Sequence, residues 1–463
     1  MTIPFDLHKH SAAEVGRTIA GGLDPVEVAD FFLERVAAQE DQPVFITITA
    51  GRARQEALAS RERHAEGRPL GPLDGVPIAW KDLIDVEGSP TTAASALRRD
   101  IDPATADAPI VANATAAGMV TLGKVNLTEF AYSGIGLNPH FGTPSIPHDP
   151  ETPRAPGGSS SGSATAVSRG MAPCAIGSDT GGSVRIPSAF NGLTGYKSSE
   201  GRISKEGVVP LSVTLDTIGP LAHSVEDCIL LDAVLRGMPP ALPAPPALSS
   251  LRLLVPENVM LDELDSAVAD NFIASLEALG RAGIQIEHRR LPLLDEVVEM
   301  TKRHGTLIAA EAYAQYRDFL ESEQVELIDR RVVARMMMGK SMTPDDVTSI
   351  SEGRQRLAAE LGSVLGDGFL AMPTVPHPSP AIAPLEADDE LFHKTNLKTL
   401  RNTSIGNILG TPGVAMPNGA NAGGLPTSLL ISALAGDDDR LLAAALSIES
   451  VIHNRRDRPW AGR

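Results

Sequence analysis

Apolar residues recur at helical spacing in SAAEVGRTIAGG (11–22) and again in DPVEVADFFLERVAAQ (24–39). In the second segment Asp24 is placed to cap the helix, with Pro25 at its first position. A polar helix is predicted over roughly 50–66, and VPIAW (76–80) predicts a short buried strand ending at Lys81. The pattern turns helical over 107–117 and extended over MVTLGKVN (119–126). It is helical again over SATAVSRG (163–170) and a short apolar strand over APCAIGSD (172–179). Later, LRLLVP, a helix around 264–282 and IQIEHRRLP form a strand–helix–strand unit, and residues 294–366 read as mostly helical. The strand that opens FLAMPTVPHPSPAIAP (369–384), then VAMP, TSLLISA and a helix over 437–453 complete the chain. Strands alternating with helices throughout predict an α/β domain with a large central sheet.

Against this periodic background, GMPPALPAPPALSS (237–250) reads as a linker, rich in Pro and Ala and free of charge. At 463 residues the chain exceeds one simple domain, yet large α/β enzymes of such length can share one sheet. Hydrophobic residues make up 42% and charged residues 21%, ordinary values for a soluble globular protein. The net charge of −18 argues against nucleic acid or an anionic membrane as partner, because both attract basic surfaces. The two cysteines, Cys174 and Cys228, read as buried free thiols of a reducing compartment. The N-terminus MTIPFDLHKH shows no signal-peptide pattern and no stretch is apolar enough to span a membrane. A cytoplasmic setting is the expectation.

The chemistry concentrates where Gly and Ser do, in GGSSSGS (157–163) and GSDTGGSVRIP (177–187), both at junctions between predicted elements. Ser183 follows Gly181 and Gly182, so the amides of Thr180 to Ser183 can converge on one developing oxyanion. The plainer alternative is a Gly-Gly turn carrying a solvated serine. Ser159 lies in the first patch, where any of Ser159, Ser160, Ser161 and Ser163 could instead cap the next helix; Ser163 is the best cap candidate. Lys81 ends its strand in GVPIAWKDLIDVEG (75–88). Burial beside hydroxyls would lower its pKa and let it accept a proton, whereas a salt bridge to Asp82 or Asp85 would prevent this. Strand alternation turns Asp82 to the opposite face from Lys81. Lysine and two serines, with two glycine turns and no histidine, make a set for acyl transfer.

Three other patterns compete. GSSSG (158–162) fits the nucleophile-elbow motif with Ser160 central. GMVTLGKV (118–125) fits part of a phosphate loop but has Val125 where Ser or Thr is needed. His8 and His10 stand close in sequence, but no histidine has ligand spacing, so no metal is expected.

The quoted stretches, with GKVNLTEFAYSG (123–134), APGGSSSGSATAV (155–167), GSDTGGSVRIPSAFNGLTGYKSSEGRIS (177–204) and LDTIGPLAHSVEDC (215–228), resemble the amidase signature family of Ser-cisSer-Lys hydrolases. Beyond about residue 240 the likeness thins to GTPGVAMPNG (410–419) and the final helix. The resemblance implies one α/β domain over 1–463, built on a large twisted mixed sheet with helices on both faces. Its signature core would cover about 70–230, and a more variable specificity region about 251–400. It implies Ser183 as nucleophile, Ser159 after a cis peptide as bridging serine, and Lys81 as base. Asp179 and Arg185 would brace the second glycine turn, with Ala131, Tyr132 and Ser133 as the acyl-pocket wall; Tyr132 reads equally as a core aromatic. The implied activity is hydrolysis of a small carboxylic amide through a seryl acyl-enzyme, without a cofactor, and a homodimer is allowed. The alternatives are a glutaminase A subunit of a tRNA-dependent amidotransferase, or a catalytically silent binding protein on the same fold.

Overall fold

The computed structural model describes Pro4 and residues 6–452. The strands are β1 (Phe45–Ile48), β2 (Pro77–Lys81), β3 (Val120–Val125), β4 (Cys174–Asp179), β5 (Thr194–Lys197), β6 (Thr217–Ala222), β7 (Arg252–Pro256), β8 (Gln285–Arg289), β9 (Phe369–Pro373), β10 (Gly413–Ala420) and β11 (Pro426–Ser432). Among the described residues these eleven strands join one mixed sheet in the order β1-β3-β2-β4-β6-β5-β10-β11-β9-β7-β8. β3, β2 and β4 run parallel, as do β9, β7 and β8 at the far end. The strands between them pair antiparallel.

Helices cover both faces, as the two-residue period of the strands shows. Leu253 and Val255 of β7 pack in one core cluster with Phe272 and Leu441, from the helices Ser266–Arg281 and Asp438–Ile452. Leu254, between them, packs in another cluster with Leu294, Leu361 and Ile405, from the helices Pro292–His304, Pro344–Leu365 and Asp389–Ile408. The central strands are buried on both sides, which explains why they read as continuous apolar runs. Each fully buried large aliphatic or aromatic side chain contributes about 1.5–3 kcal/mol.

Asp24 caps the helix Pro25–Ala37 as expected, its carboxylate accepting the Val26 N–H at 2.9 Å. Residues 238–247 carry no regular structure, and the strands before and after them belong to the same sheet. The final helix is Asp438–Ile452; His453, the last residue expected in it, lies outside the described residues, as do Met1, Thr2, Ile3 and Phe5 of the N-terminal segment. Among the described residues no helix is long and apolar enough to cross a membrane.

Candidate active site

β3, β2 and β4 are parallel, so their C-terminal ends face the same edge of the sheet, the usual place for an α/β site. Alternation along β2 buries Trp80 in the core and turns Lys81 to the other face. Asp82, one residue on, pairs with Lys124 at 2.7 Å instead of with Lys81. Asp85 accepts from the Thr91 hydroxyl at 2.6 Å. Lys81 is therefore left with hydroxyls, Ser159 Oγ at 2.7 Å and Ser178 Oγ at 2.8 Å. Burial pushes its pKa down to about 7, although the charges of Asp216 and Asp179 pull the other way.

Ser159 follows a cis peptide bond from Gly158 and is fully buried. Its carbonyl accepts the Thr128 N–H at 3.0 Å. The neighbouring loop meets the second glycine turn through the Ser160 N–H and the Ser183 carbonyl, 3.3 Å apart. No hydrogen bond joins the Ser159 and Ser183 hydroxyls directly. Catalytic hydrogen bonds commonly close only in the Michaelis complex.

Asp179 ends β4, and the turn that follows wraps its carboxylate. Gly182 N–H donates to Oδ1 at 2.8 Å and Val184 N–H to Oδ2 at 3.1 Å. Arg185 adds a two-pronged contact, Nε to Oδ2 and Nη2 to Oδ1, both at 3.0 Å. Burial alone would raise the Asp179 pKa, but Arg185, with Lys197 and Asn407, overcomes it and holds the carboxyl far below the usual range. The helix Asp389–Ile408 completes the brace. Asn407 Nδ2 donates to Asp179 Oδ1 at 2.9 Å, and Thr403 Oγ1 donates to the Gly181 carbonyl at 2.8 Å.

This wrapping corrects one sequence expectation. The Gly182 N–H is spent on Asp179, so it is not a free oxyanion donor. Gly182 is glycine because its φ is +134° and a Cβ there would lie 2.2 Å from Thr403 Oγ1. Thr180, Gly181 and Ser183 line the cavity, and among the described residues no acceptor engages their N–H groups. Ala131, Tyr132 and Ser133 line the same cavity, whose volume is about 490 Å³.

The competing patterns fall elsewhere. Ser160 is fully buried and its hydroxyl donates to the Ser178 carbonyl at 3.3 Å, away from the cavity. Ser163 is not the helix cap: it lies inside the helix Ser161–Ser168 and donates back to the Ile176 carbonyl at 3.0 Å. Val120–Val125 is a buried strand, which cannot wrap a phosphate. Among the described residues His8 and His10 belong to no group of metal-ligand side chains.

The amidase family model matches residues 27–442. The chain belongs to the amidase signature family. A relative 34% identical, with 96% of each chain covered, is the 2-amino-5-chloromuconic acid deaminase of Comamonas testosteroni. The A subunit of the glutamyl-tRNA(Gln) amidotransferase of Cupriavidus necator is 31% identical over 93% of this chain and 94% of that one. A crystal structure of an amidase superposes with a TM-score of 0.84 at 30% identity, covering 95% of this chain and 99% of the other.

In this amidase several site residues carried no signal of their own in the sequence. Ser178 is the second partner of Lys81, and only the pairing of β2 with β4 brings it there. Thr403 and Asn407 come from a helix more than two hundred residues away. Asp216 accepts from the Thr180 hydroxyl at 2.5 Å and from the Leu211 N–H at 2.9 Å, fixing the turn from its other side.

Proposed function

We propose that Ser183 is the nucleophile of this amidohydrolase, with Ser159 and Lys81 as its proton relay. The observation that carries this is Lys81 itself, a buried amine 2.7 Å from Ser159 Oγ with no carboxylate in contact among the described residues. Held at about 7, it is substantially neutral at physiological pH and can accept a proton. Ser183 Oγ attacks the amide carbonyl while its proton passes to Ser159, whose own proton passes to Lys81 Nζ. The Gly181 and Ser183 amides meet the oxyanion, a contribution of about 3–4 kcal/mol per donor in comparable sites. Returned through Ser159, the proton converts the leaving nitrogen to ammonia or an amine. Water then adds to the acyl-enzyme by the same relay and releases the acid.

Asp179 and Arg185 act here by holding the turn. Tyr132, Ala131 and Ser133 form the wall beside the acyl group. The shared sheet supports reading the chain as one functional unit, and the two unbonded buried thiols, Cys174 and Cys228, support a reducing, cytoplasmic setting.

The test is covalent trapping. A fluorophosphonate should label Ser183, and Ser183→Ala should abolish both labelling and turnover. An adduct on Ser160 would overturn the assignment. The glutaminase alternative, favoured by the likeness to the glutamyl-tRNA(Gln) amidotransferase relative, predicts ammonia from glutamine and little from other amides.

A further inference from the structure

Among the described residues, the cavity that opens on Ser183 is lined by four cationic side chains, Lys302, Arg335, Arg354 and Arg401, and by no aspartate or glutamate. In a chain of net charge −18 that concentration is the reverse of the average. Two of the four are already engaged. Arg354 donates to the Ile408 carbonyl at 2.7 Å and pairs with Glu200 at 2.7 Å. Lys302 is exposed and lies 4.0 Å from Glu299.

The other two hydrogen-bond to no acid among the described residues: Arg335 has no acidic neighbour, and Arg401 feels the charges of Asp262 and Glu263 without contacting either. Arg335 lies with its guanidinium 4.5 Å from the centre of the Tyr132 ring, and its buried Nε has no hydrogen-bond partner. Arg401 donates through Nε to Asn402 Oδ1 at 3.1 Å, while its Nη2 is buried without a partner. Among the described residues neither forms an ion pair. A guanidinium stays charged, and a buried donor left unsatisfied is costly. Stacking on Tyr132 offsets part of that cost for Arg335 and fixes where it points. The remaining lining is largely apolar and includes Leu211, Leu215, Leu307, Ile308, Leu397 and Leu400.

Guanidinium donors without partners, at a largely apolar wall, fit an ionised carboxylate at the end of a short hydrocarbon chain. We infer that this cavity takes an amide whose acyl part ends in a second carboxylate, the half-amide of a dicarboxylic acid, with Arg335 and Arg401 receiving that carboxylate. Arg335 stands against Tyr132, on the acyl-side wall, which places the charge on the acyl half and not on the leaving amine. The inference rests on the hydrolase reading above. Hydrolysis would break the C–N bond, add water and yield the dicarboxylate and ammonia.

Matched pairs test it: adipic acid monoamide against adipamide, and succinic acid monoamide against succinamide, assayed by ammonia release from the full chain. The half-amide should have a kcat/KM at least about tenfold higher, with the advantage shrinking in added salt. Arg335→Gln and Arg401→Gln should each cut that ratio by about tenfold, chiefly through KM of the charged member. Should one variant fail to fold, the other still gives the ratio. Calorimetric titration of adipate supplies an arm that needs no turnover, with Kd expected to rise about tenfold in either variant. Equal kcat/KM within each pair would overturn the inference and leave amide hydrolysis standing. Adipate binding that both variants weaken, without ammonia from any amide, would uphold the anion site and overturn the hydrolase reading. Neither binding nor turnover would overturn both.

Discussion

A lysine whose neighbours are all hydroxyls is in a different chemical state from one beside a carboxylate, and Lys81 shows the difference. Its ordinary value near 10.5 falls to about 7 because burial disfavours the ammonium form. Turnover should therefore rise with pH through about 7 and level off above it, read as kcat/KM on an unactivated amide. Lys81→Arg should lose that limb and almost all activity, because guanidinium cannot accept the proton; an active Lys81→Arg enzyme with an unchanged profile would show that another group is the base. The same shift is a stability statement. Between about 7 and 10.5 the unfolded chain binds more protons at this site than the folded one, so stability rises with pH across that window. The full penalty is present below it. Lys81→Met should accordingly raise the unfolding temperature, with a gain on the order of a few kcal/mol near neutrality that closes toward pH 10.5. Calorimetry of both proteins across that range checks it. Much of this was legible in the sequence: strand alternation turned Asp82 away from Lys81. Ser178 was not, because its contact depends on the pairing of β2 with β4, which no local pattern encodes.

The turn between β4 and the helix Arg185–Asn191 is held by elements on both sides of it. Asp179 gathers its N–H groups, and Thr403 and Asn407 fasten it from the helix Asp389–Ile408. Gly182→Ala would drive a Cβ into Thr403 Oγ1 and move the turn. A fall in kcat of about 100-fold is expected, with the unfolding temperature much less affected, and kinetics beside a melting curve separate the two. That buttressing helix escaped the sequence reading because it lacks an apolar stripe. Its buried positions include Asn396, Thr399, Asn402, Thr403 and Asn407, polar residues whose partners lie in other elements. β5 and β6 escaped for a related reason, since Gly195, Gly219 and Pro220 interrupt the apolar run that marks a strand. By contrast the strands that hold Lys81 and Asp179 were legible, being short, apolar and buried on both faces.

At the scale of the molecule, the chain crosses its own linker without dividing the sheet. β5, before residues 238–247, pairs with β10 after them, and the Tyr196 hydroxyl donates to Asp438 Oδ1 at 2.6 Å. A protease site engineered into 238–247 should give a nicked protein whose two pieces stay together, unfold in one transition and keep their activity; two separate transitions would argue for two domains. The overall α/β class was legible from the alternation of elements, whereas the strand order was not, because sheet order depends on long-range pairing. One feature of the site bears on how such a protein can diverge. Along Asp389–Ile408, residues 397, 400, 401, 404, 405 and 408 follow helical spacing and line the cavity, while Thr403 and Asn407, four apart, tether the turn after β4, Asn407 lining the cavity as well. A change in the lining stripe leaves these tethers in place, whereas the tethering pair cannot be exchanged without its counterparts, Gly182 and Asp179. Recombination between relatives that cut the gene between these segments would yield working offspring only when both parents already agreed at all four positions.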